Sequence, residues 1–166
     1  MRLLFAFVVF TVAASLSNAQ PEYPSMGTDI FDIEADGDAL VATAVEQARI
    51  TNRRVLVLLG ANWCPYCRRL HHVMETTPAV TEMLRDNFEL VHVDVNTRRT
   101  KSRNAAVVTR LGNPLRFGLP VLVVLETDGT LLTTRETGSL AASTDEELAE
   151  RLVDFLNEWV KPAPRE

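Results

Sequence analysis

Hydrophobic and polar residues follow each other along the chain with periods that predict helices and strands in turn. Within 36–50, apolar side chains recur at steps of three and four residues, the spacing of one helical face, and Asp36 or Asp38 is placed to cap this helix. The run 55–59 is apolar at every position, which is typical of a central strand covered on both faces. A helix is predicted to follow this strand, and Pro78 suits the first turn of a second helical piece.

The second half of the chain continues with a strand, a helix, two strands and a terminal helix. The strands are predicted at 88–95, 121–125 and 131–137. One helix is predicted at 100–111, closed by Gly112, and the terminal helix follows the capping sequence Ser143-Thr144-Asp145-Glu146. Asp128-Gly129 is a hairpin turn signal, so the last two strands should be antiparallel. The first two strands are separated by helices and fit a parallel crossover. The pattern predicts an α/β fold in which a mixed central sheet carries helices on both faces.

The first residues differ from the rest of the chain. Arg2 precedes an apolar stretch that is short for a membrane span, and Ser17 and Ala19 are small residues at the −3 and −1 positions of a cleavage site. We interpret 1–19 as a signal peptide cleaved near Ala19, the alternative being an uncleaved membrane anchor. Export would place the protein in a bacterial periplasm or outside the cell.

The remaining chain is expected to form one domain. The full sequence of 166 residues is 46% hydrophobic and 23% charged, which is ordinary for a globular protein. We expect an irregular lead-in over 20–35, a folded domain over 36–161 and a short tail over 162–166.

Charge along the chain is uneven. The formal net charge is −5, yet no acidic residue occurs between Asp94 and Glu126, a stretch that contains several arginines. This stretch is either a solvated helix face with its loop or a positive surface beside the cysteines. It has no repeated alternation of basic and aromatic residues and no nucleic-acid motif, so we expect no nucleic acid as a partner.

The two cysteines of the chain lie two residues apart, in Trp63-Cys64-Pro65-Tyr66-Cys67. A disulfide that closes so small a loop stabilises a fold little, so a purely structural bond explains the pair poorly. Cys64 follows a strand and stands where a helix should begin, and there the unpaired N–H groups favour a thiolate. Pro65 suits this helix start. We therefore expect Cys64 to attack disulfides and Cys67 to resolve the mixed disulfide.

The histidine that follows leaves a second interpretation open. His71 lies four residues after Cys67, so Cys64, Cys67 and His71 could together hold copper or zinc. Against this, only three candidate ligands are near, and an exposed helix histidine explains His71 equally simply. His72 and His92 are expected on a helix surface and on a strand. We expect no bound metal and no cofactor.

These features together resemble the thioredoxin superfamily. The resemblance lies in the Trp-Cys-Pro-Tyr-Cys sequence after an apolar strand, in Gly118-Leu119-Pro120 before a later strand, and in the hairpin and terminal helix. It covers roughly 36–161 and is nearest to exported bacterial thioredoxin-like thiol–disulfide interchange proteins. It implies a three-layer fold and thiol–disulfide exchange.

The resemblance also implies roles for individual residues. Cys64 would be the nucleophile and Cys67 the resolving thiol. Pro120 would be cis and face the disulfide, while the backbone at Leu119 would pair with an extended substrate segment. Trp63 would pack beside the active site, although plain core packing explains it as well.

The implied partners are protein thiols and disulfides, with a membrane redox partner among them, and we expect a monomer. The chain departs from the family's pattern at Leu58, where many thioredoxins carry a buried acid that transfers a proton to the resolving thiol. Another group, such as water, Glu75 or a histidine, would have to take its place.

Overall fold

The computed structural model describes residues 21–98 and 101–162. The helices are α1 (Gly37–Thr51), α2 (Pro65–Thr76), α3 (Pro78–Asn87), α4 (Ala105–Arg110) and α5 (Asp145–Glu158), and the strands are β1 (Arg54–Gly60), β2 (Phe88–Asp94), β3 (Val121–Leu125) and β4 (Leu131–Glu136). Short 3₁₀ turns occupy Pro24–Met26, Pro114–Phe117 and Thr137–Leu140. The predicted signal peptide lies outside the described residues, as does most of the predicted tail. Within the described ranges no helix has the length and apolar character needed to cross a membrane.

The strands form one mixed sheet in the order β2-β1-β3-β4. β1 and β2 are parallel, with Leu58 opposite His92, because the α2–α3 connection carries the chain back across the sheet. β3 runs antiparallel to both β1 and β4. The predicted mixed sheet, with an internal first strand and a terminal hairpin, is confirmed.

Successive residues of the strands feed two separate hydrophobic clusters, one on each face of the sheet. Leu56 and Leu58 of β1 pack with α2, α3 and α5 on one face. Val55, Val57 and Leu59 pack with α1 and α4 on the other. Side chains of a strand alternate between faces, so a strand buried on both faces must be apolar throughout. This confirms the predicted arrangement of helices on both sides of the sheet.

Two boundaries differ from the sequence prediction. α4 begins at Ala105 instead of near residue 100, since Asn104 has a left-handed backbone (φ 55°) and its side chain bonds to Gly37 N and Asp94 O. These long-range bonds occupy the residue that would otherwise continue the helix. α5 is capped by Thr144, whose hydroxyl accepts the N–H of Glu147, so the cap lies one residue later than the box predicted at Ser143.

Candidate functional site: a disulfide at a helix N-terminus

Cys64 and Cys67 form a disulfide where β1 gives way to α2. Cys64 is the N-cap of α2, and its Sγ accepts the backbone N–H of Cys67 at 3.2 Å. The Cα atoms of the pair are 5.2 Å apart. Cys64 keeps 3% of its surface accessible, whereas Cys67 keeps none, so Cys64 is the more accessible residue of the pair. Pro65 occupies the first helical turn, where its missing N–H costs no hydrogen bond.

Gly60 ends β1 directly beside Cys67. A Cβ at this position would overlap the ring of Phe31 and lie 3.0 Å from Cys67 Sγ. The absence of a side chain at Gly60 therefore lets the phenyl ring and the sulfur both approach the end of the strand.

Asn62 ties the lead-in segment to the loop that precedes the cysteines. Its side chain is completely buried. Its Oδ1 accepts the N–H groups of Ile30 and Phe31 at 2.9 and 3.0 Å, and its Nδ2 donates to the Phe31 carbonyl at 3.0 Å. Phe31 is thereby fixed in the hydrophobic core beside both cysteines. This segment of the chain therefore also forms part of the surroundings of the cysteines.

Arg68 and Arg69 make tertiary contacts that the sequence interpretation did not foresee. Arg68 donates to the carbonyls of Asn62 and Thr28, both at 2.7 Å, and so fastens the same lead-in. Arg69 is paired with Asp145 at 2.7 Å, at the start of α5. The two guanidinium groups hold chain segments on either side of α2.

Trp63 lies between a polar residue and a cation. Its indole Nε1 donates to Asn96 Oδ1 at 3.1 Å, and the guanidinium of Arg98 stacks over its ring at 4.1 Å. Trp63 is half-buried against the core cluster that contains the cysteines. One residue of the basic stretch therefore lies beside the cysteine loop.

Asn96 is in turn bonded to an ion cluster formed by Glu22, Asp94 and Arg103. Arg103 donates to Glu22 and to Asp94, each at 2.8 Å, and Asn96 donates to Glu22 at 3.2 Å. Burial raises the pKa of Asp94, and the hydrogen bond from Arg103 opposes this shift. The hydrogen bonds that Arg103 donates to Glu22 and Asp94 raise its pKa. Arg103 belongs to this internal cluster and not to a solvated helix face.

The loop before β3 approaches the cysteine helix. The Leu119–Pro120 peptide bond is cis, as the resemblance implied. Leu119 and Pro120 line a cavity of about 310 Å³ together with Tyr66, which stands between the two cysteines in the chain, and with Phe117. The side chain of Tyr66 is 71% exposed and that of Phe117 is 40% exposed, so aromatic groups border the opening.

Two histidines meet on the sheet face covered by α2. Nδ1 of His71 lies 3.4 Å from Nε2 of His92, and the two rings are edge-on with centroids 5.2 Å apart. Phe31 also contacts His92, with the two ring centroids 5.8 Å apart. Burial, followed by the nearby His71, lowers the pKa of His92 to about 4. His71 is therefore not a freely exposed helix histidine, whereas His72 is exposed as expected.

We expect His92 to make the fold sensitive to acid. Its folded pKa, about 4, lies below its ordinary value of 6.5, so the unfolded chain takes up the proton first as pH falls. The free energy of unfolding should therefore decrease between pH 6.5 and 4, and His92 should contribute roughly 2–3 kcal/mol of that loss. Urea unfolding of the oxidised protein at neutral pH and at pH 4 measures it. Between neutral pH and pH 4, the free energy of unfolding should decrease less in His92→Gln than in the wild type. In His72→Gln it should decrease as much as in the wild type. Equal decreases in all three proteins would contradict the assignment.

The metal interpretation finds no support in the side-chain arrangement. Across 21–98 and 101–162, no three His, Cys, Asp or Glu side chains are grouped so that they could hold a metal ion. His71 instead contacts His92.

The family follows from the fold and from a direct match. A family model described as thioredoxin-like matches residues 38–127, and this chain belongs to that family. The matched range contains α1 without its first residue, the helices α2 to α4, the strands β1 to β3, the cysteine pair and the cis-proline loop. No curated protein matches the chain.

Solved structures agree with this assignment. The chain is similar to the disulphide isomerase from Xylella fastidiosa Temecula1, with a TM-score of 0.68 and 28% identity over 80% of this chain and 97% of that one. It is also similar to the C-terminal domain of DsbD from Neisseria meningitidis in the oxidised form, with a TM-score of 0.53 and 19% identity over 75% and 96% of the two chains. The second likeness is one of fold. The chain is thus a member of the thioredoxin-like family and carries a Cys-x-x-Cys pair at disulfide distance.

Several residues of the site were missed from the sequence alone. Phe31 and Glu22 lie in a segment without periodicity, and Asn62 and Asn96 follow strands as ordinary polar residues would. The one available signal was the position of Asn62 immediately before the Trp-Cys sequence. The pairing of His71 with His92 joins residues 21 positions apart and left no local trace.

Proposed function

We propose that this protein is a thiol–disulfide oxidoreductase that exchanges disulfides with protein substrates through Cys64 and Cys67. The observation that carries the proposal is the place of Cys64 Sγ, at the N-cap of α2, where it accepts the N–H of Cys67. An N–H group and the positive end of the helix dipole stabilise a sulfur anion there. The similarity to a disulphide isomerase, 28% identical, supports the same chemistry.

The exchange would proceed in two displacements. In the reduced protein the Cys64 thiolate attacks one sulfur of a substrate disulfide, and the other substrate sulfur leaves as a thiolate. The Cys67 thiolate then attacks Cys64 Sγ and breaks the mixed disulfide. The electron pair of that bond leaves with the substrate sulfur that Cys64 had attacked. The substrate gains two electrons, and the Cys64–Cys67 disulfide is formed. The reverse sequence would oxidise a substrate dithiol.

The neighbouring surface would hold the substrate chain. The backbone at Leu119 is proposed to pair with an extended segment, with Pro120 facing the disulfide. The cavity between Tyr66 and Phe117 would receive an apolar side chain of that segment. Trp63 would form the opposite border, next to the stacked guanidinium of Arg98.

The compartment and the partners are also proposals. The apolar N-terminal segment with its small-residue cleavage site supports a signal peptide over 1–19, and hence a periplasmic or secreted domain over 36–161. Thiol pairs in an exported protein must exchange electrons with a donor or acceptor, and a membrane redox partner would serve. We propose that the protein acts as a monomer.

Trapping of mixed disulfides tests the function. Cys67→Ala removes the sulfur that resolves the adduct, so the variant should accumulate substrate proteins bound through Cys64 in the cell. Reduction with dithiothreitol should release them. Cys64→Ala should trap little, because the Cys67 sulfur is fully buried. Adducts that form only through Cys67 would reverse the assignment, and the absence of adducts and of insulin reduction would contradict the function.

A further inference from the structure

The two histidines on the sheet face below the cysteine helix have no part in the chemistry described so far. We propose that His71 and His92 together form the proton acceptor for the Cys67 thiol, a proposal that rests on the disulfide exchange set out above. It assigns a role to a buried pair of titratable side chains that otherwise has none.

Cys67 needs such an acceptor. The residue has no accessible surface and lies within the hydrophobic cluster that includes Phe31 and Leu58. A thiol in apolar surroundings holds its proton, yet only the thiolate can attack the mixed disulfide. Once a substrate covers Cys64, water reaches the Cys67 sulfur even less easily. A base inside the protein would remove this barrier.

The geometry places the histidines on the correct side of the sheet. His71 follows Cys67 by four residues on α2, so the two side chains share one helical face a turn apart. His92 lies opposite Leu58 in the parallel register, on the face that α2 covers. Phe31 contacts His92, with ring centroids 5.8 Å apart, and its ring also lies against Gly60, where a Cβ would be 3.0 Å from Cys67 Sγ. The histidine pair and the sulfur thus belong to one packed cluster.

The other groups around His92 are poorer acceptors. From β1 it faces Leu58, and from the lead-in it faces Phe31, neither of which titrates. Asp94, two residues further along β2, is held by Arg103 at 2.8 Å. Glu75, on the same helix as His71, is exposed. Burial, followed by the nearby His71, lowers the pKa of His92 to about 4, so its ring is uncharged at neutral pH and is by itself a weak base. We therefore assign the proton to His71, which follows Cys67 on α2, and His92 stabilises the protonated ring through the 3.4 Å contact between the two rings.

The proton transfer balances as follows. The Cys67 S–H proton passes to a free ring nitrogen of the histidine pair, directly or through one water, which gives an imidazolium and a thiolate. The thiolate attacks Cys64 Sγ, the bond to the substrate sulfur breaks, and the electron pair leaves with that sulfur. The imidazolium returns its proton to solvent through the half-exposed edge of His71, and the substrate thiolate takes a proton from solvent.

Stopped-flow reaction of the reduced protein with 5,5′-dithiobis(2-nitrobenzoate) tests the proposal. The first release of the coloured thiol reports attack by Cys64, and the second reports resolution by Cys67. In His71→Gln and His92→Gln, the first phase should be unchanged, while the second should slow at neutral pH by about tenfold to hundredfold, the range of a lost general base. The difference should vanish at strongly alkaline pH, where hydroxide removes the thiol proton. His72→Gln, an exposed neighbour, should behave as wild type.

The shape of the pH profile separates a proton acceptor from a structural role. A second phase that is slowed by the same factor at every pH would show a packing defect and overturn the proposal. A second phase equal to that of His72→Gln at neutral pH would overturn it as well. If the wild type shows both phases, and the two histidine variants show the same second phase as the wild type, only this inference fails. If the wild type shows neither phase, the exchange function itself fails.

Discussion

Replacing Cys64 by serine is expected to abolish disulfide exchange, with a loss of about a thousandfold or more in the rate of insulin reduction. The hydroxyl of serine is not ionised at neutral pH, so the N–H of Cys67 and the start of α2 would no longer hold a nucleophilic anion. Cys67 cannot substitute, because it has no accessible surface. Dithiothreitol-coupled insulin reduction at neutral pH measures the loss.

Cys67→Ser is the matched variant for this prediction. It also removes one sulfur of the pair, but it leaves Cys64 at the helix N-terminus. It should therefore react with 5,5′-dithiobis(2-nitrobenzoate) and release one equivalent of the coloured thiol without releasing the second. If Cys64→Ser formed such an adduct readily and Cys67→Ser did not, the order of attack proposed for the two sulfurs would be wrong.

Asn62→Ala is expected to destabilise the fold by roughly 3–5 kcal/mol, because it removes the partners of three backbone groups, two of them buried and one partly buried. The buried groups are the N–H and the carbonyl of Phe31, and the partly buried one is the N–H of Ile30. Alanine cannot bond to any of them. Urea unfolding of the oxidised protein at neutral pH measures the change.

Asn157→Ala provides the control for this substitution. Asn157 lies near the end of α5 with an exposed side chain, so the same chemical change there should alter stability by no more than about 0.5 kcal/mol. An Asn62→Ala variant that unfolds at the same urea concentration as Asn157→Ala would show that the lead-in contributes nothing to the fold. A large loss would establish that 21–35 is part of the structure around the disulfide.

These effects share a structural origin. The lead-in carries Phe31 into the core beside Cys67 and carries Glu22 to the ion cluster of Arg103. The same segment is bonded through Asn62 and Arg68 to the loop and helix that hold the cysteines. A change in the lead-in is therefore expected to act on the disulfide region, although it lies more than 30 residues away in sequence.

Local patterns in the sequence were enough to predict most helices and strands, and to predict that helices cover both faces of the sheet. An apolar run such as 55–59 has no polar face to present to water, so it had to become an internal strand. Pro78 and the turn Asp128-Gly129 are local signals with one conformational outcome each, and both predicted boundaries hold. The Cys-Pro-Tyr-Cys sequence after a strand indicated the disulfide at a helix start, because capping depends only on neighbouring residues.

The surroundings of the two sulfurs depend on contacts between residues that are far apart in the chain. Asn104 accepts the N–H of Gly37 and donates to the carbonyl of Asp94, and α4 is shorter than predicted because these side-chain bonds to distant backbone groups outweighed helical periodicity. The parallel register brought His92 opposite Leu58 and against His71. The cis-proline loop met Tyr66 across a cavity. Pairings of this kind join residues that are far apart in the chain, and a one-residue shift of register would reverse which side chains face the cysteines, so no local pattern could reveal them.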